Sequence, residues 1–190
     1  MLFKYYWFIK TVFLRLLIPK IAPISYLGGV IYVYGGWRVT IRNRVRIFPG
    51  LRIETHYGGS ILIDNNVSIQ QNFHITSAKE LLKIGKNTTI LGNVFVTNID
   101  HNYRELSKHI LDQEYLVKKT DIGENCFIGY GASIQAGTIL GKQCIVGAGS
   151  VVRGEFPDFC VIVGAPAKII KRYNAETKTW QKTDKNGLFL

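Results

Sequence analysis

An aspartate followed by a histidine, Asp100-His101, stands where an otherwise regular sequence changes character. An imidazole can accept a proton from a reacting group and return it near neutral pH, so His101 is a candidate general base. The carboxylate of Asp100 could orient the ring, as could Glu105, Glu114 or a backbone carbonyl. No serine stands in a strand-to-helix nucleophile motif, which favours direct base-assisted transfer over a covalent intermediate.

The segment after this histidine, residues 102–121, carries no repeat. An insertion of that length in a compact domain is usually functional or disordered. It carries Tyr103 and Arg104 close in sequence to the candidate base, and it has charges of both signs. We interpret it as a loop that shapes a substrate site, with the regular pattern intact through His101.

Aliphatic residues recur with a period of six on both sides of this segment. They are Ile63, Ile69, Ile75 and Leu81, then Ile84, Ile90 and Val96, then Ile122, Ile128, Ile134, Leu140, Val146 and Val152. Such a short fixed period predicts a solenoid of brief strands and turns. Asn or Gly usually follows three residues later, and both tolerate the positive φ of a sharp corner.

Three six-residue units for each coil predict an 18-residue turn. Cys126 and Cys144, which are separated by one such turn, should then stack in the core as small apolar residues. His56 and His74 have the same separation and should stack on one outer face.

The first quarter of the chain is both basic and apolar. No Asp or Glu precedes Glu54, and the chain carries a net charge of +11. Residues 1–35 are aromatic and aliphatic, but Lys4, Lys10 and Arg15 interrupt them, so neither a membrane span of about 20 residues nor a signal peptide is expected. Two compatible interpretations remain: a helix lying on an anionic membrane and a helix packed on the protein.

Composition narrows the class of protein further. A hydrophobic fraction of 47% and a charged fraction of 19% are typical of a folded chain. Three cysteines give neither a disulfide framework nor a metal-ligand motif, and they favour the cytoplasm. The basic segment contains no nucleic-acid-binding motif, so we expect no nucleic-acid partner.

The units "IGENCF", "IGYGAS", "LGKQCI" and "VGAGSV" resemble the hexapeptide-repeat acyltransferases, and most closely the O-acetyltransferases of O-antigen and capsule biosynthesis. The resemblance covers about residues 60–175. It implies an all-β fold, a left-handed parallel β-helix that usually forms a homotrimer, and a C-terminal helix after "GAPAK". We therefore expect an N-terminal apolar and basic helical segment over 1–38, the β-helix over 39–163 with a loop extruded at about 102–121, and a C-terminal helix and tail over 164–190.

This resemblance implies acetyl-CoA as the cosubstrate, no metal, and a sugar hydroxyl of a polysaccharide or lipid-linked glycan precursor as the acceptor. The catalytic histidine of the family lies just before a similar loop, and we match it to His101 alone. Transfer from a thioester to an alcohol needs such a base, because a protonated hydroxyl is a poor nucleophile.

Several further positions follow from the resemblance. Cofactor-binding positions are Phe127, Gly129, Gly147 and Ala148, with Arg153, Lys168, Lys171 and Arg172 as a basic cluster for the phosphates. Acceptor-binding candidates are Asn72, His74, Tyr103 and Arg104. Turn geometry would explain the glycines equally well, and a solvated chain end would explain the cations.

Three other functions stay open at this point. The nearest is N-acetylation of an amino-sugar nucleotide. A zinc carbonic anhydrase of the same fold would need three converging histidines, which the phases of the four histidines do not provide. A noncatalytic β-helix scaffold is the third. For the favoured function, contact of residues 1–35 with the inner face of the cell membrane would bring a cytoplasmic enzyme close to a lipid-linked acceptor.

Overall fold

The computed structural model describes residues 2–184 and 187–190 as a parallel β-solenoid whose first coil is capped by a helix. The helix is α1 (Leu2–Leu14), and short 3-10 turns occupy Gly36–Arg38 and Ile110–Asp112. Each coil contributes one brief strand to each of three sheets, which we name faces A, B and C. This architecture confirms the predicted solenoid and agrees with a left-handed β-helix.

The strands divide among the faces as follows. Face A contains β1 (Lys20–Ile21), β4 (Val39–Ile41), β7 (Ser60–Ile63), β10 (Leu81–Ile84), β15 (Asp121–Ile122), β18 (Ile139–Leu140) and β21 (Glu155–Phe156). Face B contains β2 (Tyr26–Leu27), β5 (Arg46–Ile47), β8 (Ser68–Ile69), β11 (Thr89–Ile90), β16 (Phe127–Ile128), β19 (Ile145–Val146), β22 (Cys160–Gly164), β23 (Ala167–Asn174) and β24 (Thr179–Lys182). Face C contains β3 (Val30–Tyr34), β6 (Leu51–His56), β9 (His74–Ala78), β12 (Phe95–Thr97), β17 (Ser133–Ile134) and β20 (Val151–Val152). A separate ribbon pairs β13 (Ile99–His101) with β14 (Tyr115–Val117).

The periodic aliphatic residues form the core, as predicted. Ile84 pairs in register with Ile122, and Ile122 with Leu140, so equivalent side chains stack from coil to coil. All three are buried. The corner residues also adopt the predicted positive φ, which is 58° at Asn66 and 57° at Asn125. Short strands stack because each buries one aliphatic side chain and turns at a residue that accepts this conformation.

The predicted coil length of 18 residues is found in only one part of the solenoid. Cys126 and Cys144 are buried in the core and stack as predicted. The earlier coils are longer, because the face C strands β6 and β9 have six and five residues. The expected stacking of His56 on His74 is therefore wrong: His74 lies opposite Arg52, and His56 lies opposite Ala78.

Both ends of the solenoid are covered. At the N-terminal end, Thr11 of α1 is buried and its Oγ1 accepts a hydrogen bond from the Leu27 amide at 2.7 Å. Parallel coils begin at Lys20, so residues 20–34 already belong to the solenoid rather than to the helical segment.

The C-terminal helix expected over 164–190 is wrong for the residues that the structure describes. β23 turns back to pair antiparallel with β22, and β24 pairs with β23. Without these antiparallel strands, the last coil would expose a row of backbone N–H and C=O groups. The strands form hydrogen bonds with that edge.

The insertion is an ordered hairpin rather than an irregular loop. The chain leaves the coil after Asn98, whose buried side chain bonds both the amide and the carbonyl of Ala78. It returns where the Lys118 amide donates to the Asn98 carbonyl at 2.9 Å. The coil therefore does not extend through His101 as expected, and this residue lies on the first arm of the hairpin.

Candidate active site

His101 projects from β13 and is exposed. Its partner in the hairpin register is Tyr115 on β14, and the two rings meet edge to face with centroids 5.0 Å apart. This contact fixes the ring from one side and leaves it accessible to a substrate. The structure thus presents the predicted base on an ordered element.

Asp100 faces away from this ring, because successive side chains of a strand point to opposite sides. Its carboxylate accepts two hydrogen bonds from Arg153, at 2.7 and 2.9 Å, and Arg153 also donates to Gln135 at 3.0 Å. We call Asp100, Arg153 and Gln135 the clasp. The hydrogen bond from Arg153 lowers the pKa of the Asp100 carboxyl, so the pair stays ionised.

The clasp joins two of the predicted site residues. The Asp100 carboxylate connects the first hairpin arm to Arg153 near the end of the solenoid. The Arg153 guanidinium donates both of these hydrogen bonds to Asp100, whereas the other predicted phosphate ligands are Lys168, Lys171 and Arg172. Glu105, another candidate for orienting the base, pairs with Lys108 at 3.0 Å.

A second polar cluster lies on face C around Glu54, which is buried. Arg52 Nε donates to Glu54 Oε1 at 2.5 Å, His56 Nε2 lies 3.1 Å from Oε2, and His74 Nε2 lies 3.2 Å from Oε1. Thr76 Oγ1 lies 3.0 Å from His74 Nε2. Of these residues, the sequence analysis named His56 and His74 as outward-facing and only His74 as an acceptor-binding candidate. The alternation of Arg52, Glu54 and His56 is typical of the outer side of a strand.

This cluster lowers the pKa of both a carboxyl group and an imidazole. Burial would raise the pKa of the Glu54 carboxyl, but hydrogen bonds from Arg52 and His56 outweigh it, and the pKa is lowered. Burial lowers the pKa of the His74 imidazole, and the hydrogen bond with Glu54 offsets this only in part. His74 is therefore suited to act as a neutral hydrogen-bonding group.

The lowered pKa of His74 makes the stability of the protein sensitive to mild acid. The unfolded chain binds this proton below about pH 6.5, before the folded chain does, so the free energy of unfolding should fall as the pH drops from there. Urea unfolding between about pH 7.5 and 5 should show this slope, and His74→Gln should reduce it. An unchanged slope in His74→Gln would contradict the assignment.

The glycines predicted to approach a cofactor have a structural explanation. A Cβ at Gly129 would lie 2.5 Å from the Ala148 amide nitrogen, and one at Gly147 would lie 2.8 Å from Val163 Cγ1. Both glycines are needed for adjacent coils to stack, whether or not a ligand binds.

The outer side of face B nevertheless suits an extended molecule with an apolar arm and an anionic end. One row of outward-facing residues crosses five neighbouring strands of this face. In order from β16 to β24 the row is Phe127, Ile145, Val161, Lys171 and Lys182. Four strand spacings of about 4.8 Å thus lead from an exposed aromatic ring to a pair of lysines. Lys182 was missed, because its position opposite Lys171 arises from the unexpected antiparallel strands.

The other predicted positions are distributed as follows. Lys168 is exposed on β23, whereas Arg172 donates to the Gly187 carbonyl at 3.1 Å and lies 5.6 Å from the centre of the Phe189 ring. Asn72 sits at a corner with φ 57° and donates to Asn93 at 3.0 Å, which gives it a structural role. Tyr103 and Arg104 are exposed in the segment that follows β13.

Within residues 2–184 and 187–190, no three or more His, Cys, Asp or Glu side chains are grouped in a way that suits a metal ion. In the same described part of the chain, no helix has the length and apolar character needed to span a membrane.

Known proteins resemble this chain in sequence. A model of the family described as "Hexapeptide repeat of succinyl-transferase" matches residues 119–153. WbbJ of Escherichia coli K12, which is named as an O-acetyl transferase of lipopolysaccharide biosynthesis, is 39% identical over 147 residues, or 70% of this chain and 71% of WbbJ. Galactoside O-acetyltransferase of the same strain is 32% identical over 130 residues, or 67% of this chain and 62% of that protein.

Solved structures share the fold at lower identity. A mutant of AntD, an N-acyltransferase from Bacillus cereus in complex with dTDP-4-amino-4,6-dideoxyglucose and coenzyme A, has a TM-score of 0.64 at 18% identity and covers 81% of this chain and 86% of its own. Galactoside acetyltransferase in complex with coenzyme A has a TM-score of 0.51 at 22% identity, covering 87% of this chain and 73% of its own. At these identities the likeness concerns the fold alone. Together with the 39% identity to WbbJ, the coiled architecture leads to one conclusion: the chain belongs to the hexapeptide-repeat acyltransferase family.

Proposed function

We propose that this acyltransferase moves the acetyl group of acetyl-CoA to a sugar hydroxyl of a polysaccharide or lipid-linked glycan precursor. The observation that carries the proposal is the exposed His101, held on an ordered hairpin in a chain that is 39% identical to a relative named as an O-acetyl transferase. Relatives named for O-acetyl transfer share more sequence with this chain than AntD, an N-acyltransferase, does at 18%. N-acetylation of an amino-sugar nucleotide is therefore the second candidate.

In the proposed mechanism, His101 accepts the proton of the acceptor hydroxyl as its oxygen attacks the thioester carbonyl carbon. The new C–O bond forms, the C–S bond breaks, and His101 returns the proton to the departing thiolate. Acetyl-CoA supplies the activated acyl group. The chain contributes the apolar column from Phe127 to Val161 for the pantetheine arm, and Lys171 and Lys182 for the phosphates.

A panel assay tests this function. Purified protein is incubated with acetyl-CoA and with hydroxyl-bearing glycans or amino-sugar nucleotides, and thiol release is followed. Release with de-O-acetylated polysaccharides or lipid-linked glycans supports the proposal. Release with amino-sugar nucleotides only would favour N-acetylation, and no release with any acceptor would reject both.

The proposal includes a homotrimer and a peripheral contact with a membrane. One side of α1 packs on the solenoid through Trp7 and Thr11. The other side exposes Ile9 and Phe13, although both are large and apolar. A groove of about 560 Å³ between this helix and β3 continues the apolar surface. With no acidic residue before Glu54, the surface suits anionic lipid headgroups.

The membrane contact leads to a binding prediction. Replacing Ile9 and Phe13 together with aspartate should weaken binding to phosphatidylglycerol vesicles at least about tenfold, because each large apolar side chain contributes about 1.5–3 kcal/mol when buried. Flotation measures the bound fraction. These substitutions are preferable to a truncation of residues 1–35, because a truncation would also remove residues 20–34, which form the first coil of the solenoid. Leu188→Asp, at an exposed apolar site near the C-terminal end, is the matched control and should bind normally. Unchanged binding of the double variant would reject the contact.

A further inference from the structure

A line of aromatic rings crosses the outer surface between face C and the hairpin and ends at His101. Tyr34 stacks on His56 with centroids 4.9 Å apart, and His56 lies 6.4 Å from Tyr57. Tyr57 meets Tyr115 edge to face at 5.6 Å, and Tyr115 meets His101 at 5.0 Å. We name Tyr34, His56, Tyr57 and Tyr115 the aromatic strip.

The central ring of this strip is placed at a conformational cost. Tyr57 has a φ of 46° and its side chain is 73% exposed. Asn and Gly are the commonest residues with this conformation, as at Asn66 and Gly131, although Arg44, Lys79, Gln143 and Phe159 also adopt it. A bulky residue is strained there. An exposed ring also adds little to the core, so Tyr57 contributes little packing to offset this strain.

Polar groups flank the strip. The buried Glu54 carboxylate holds the ring of His56. A cavity of about 320 Å³ between Tyr57 and Tyr115 is also lined by Lys79 and Glu114. Aromatic rings pack against the C–H faces of sugars, and carboxylates and ammonium groups bond their hydroxyls. The combination suits a carbohydrate better than a purely apolar partner.

We propose that the aromatic strip binds an extended glycan, several sugars long, and guides one of its hydroxyls to His101. The inference rests on the proposed function and assigns a binding surface to its glycan acceptor, which requires an acceptor several sugars long. Centroid distances of 4.9 to 6.4 Å between neighbouring rings make the strip continuous, so a glycan that lies along it can contact several rings at once.

The experiment compares long and short acceptors. The panel assay first identifies which de-O-acetylated O-antigen or capsular polysaccharide is acetylated. Long fragments of that polysaccharide and methyl glycosides of its single sugars are then compared by kcat/KM. Wild-type protein should prefer the long fragments, and Tyr57→Asn should reduce that preference by about tenfold, since one aromatic contact of about 1.4 kcal/mol corresponds to that factor.

A matched control exists at the other end of the molecule. Phe159 also has a positive φ, 60°, and an exposed ring, so Phe159→Asn makes the same change away from the strip. It should keep the wild-type preference. The melting temperature of Tyr57→Asn should not fall, because asparagine relieves the strained corner.

Four outcomes would overturn the inference. The first is equal kcat/KM for long and short acceptors in the wild type, and the second is a Tyr57→Asn variant that keeps the preference. The third is a change in the molar mass of Tyr57→Asn by light scattering, which would make the strip a contact between copies of the chain. Failure of every glycan in the panel would reject the proposed function and the strip with it, whereas the first three leave acetyl transfer standing.

Discussion

Replacing His101 with alanine is expected to lower kcat for acetyl transfer by about 10²–10⁴-fold, the usual contribution of a general base. The acceptor hydroxyl would then have to lose its proton without a positioned partner. The side chain is exposed on β13, so its removal leaves the core unchanged and the melting temperature should stay close to that of the wild type. Steady-state kinetics with saturating acetyl-CoA measures the loss.

His109 provides the matched control for this experiment. It is an exposed histidine of the same hairpin, and its Nδ1 accepts a hydrogen bond from the Leu111 amide at 3.3 Å. His109→Ala should keep kcat within about twofold of the wild type, because the residue lies away from the reacting groups. A His101→Ala variant as active as His109→Ala would remove His101 from the mechanism.

Disrupting the clasp should produce the second largest effect. Asp100→Ala and Arg153→Ala should each lower kcat by about 10- to 100-fold, because a catalytic group displaced by about 1 Å can lose that much activity. The two residues connect β13 to the end of the solenoid through bonds of 2.7 and 2.9 Å, so either change frees the arm that carries His101. The double variant should be no slower than the slower single variant, since both remove one connection.

Non-additive losses of kcat would show that Arg153 positions the hairpin arm together with Asp100 and does not act separately by binding acetyl-CoA. If Arg153 served the phosphates of acetyl-CoA, Arg153→Ala would raise the KM for acetyl-CoA and Asp100→Ala would not. Arg153→Lys should restore little activity, because lysine cannot make the paired contact. The exposed pair of Lys86 and Glu124, 3.3 Å apart between two other coils, is the control, and Lys86→Ala should leave kcat unchanged. Independent, multiplying losses at Asp100 and Arg153 would contradict the clasp.

The sequence was most informative where one residue type performs one physical task in every coil. Ile122, Ile128 and Ile134 fill the core at fixed intervals, and Asn125 turns the chain, so periodicity alone predicted the solenoid. The lengths of the early coils escaped prediction because β6 runs on to His56 before it turns, so that Arg52 rather than His56 lies opposite His74.

The candidate site was only partly accessible from the sequence, because its contacts join distant segments. Arg153 meets Asp100 across 53 positions, and Lys182 meets Lys171 through a strand that was expected to be helical. Neither pair carries a periodic signal. His101 was identifiable because it directly precedes the break in the pattern, whereas Glu54 and Tyr57 look like ordinary surface residues until the hairpin places Tyr115 beside them.

The most direct test of the central claim is the chemical linkage formed in the product. Acetyl-CoA labelled in its acetyl group is incubated with the accepted glycan, and the product is analysed by NMR before and after mild alkali. The proposed function predicts an acetyl ester on a sugar oxygen that alkali removes, formed by wild-type protein and about 10²–10⁴-fold more slowly by His101→Ala. An alkali-stable acetyl group on nitrogen, or an ester that the variant forms as fast as the wild type, would contradict it.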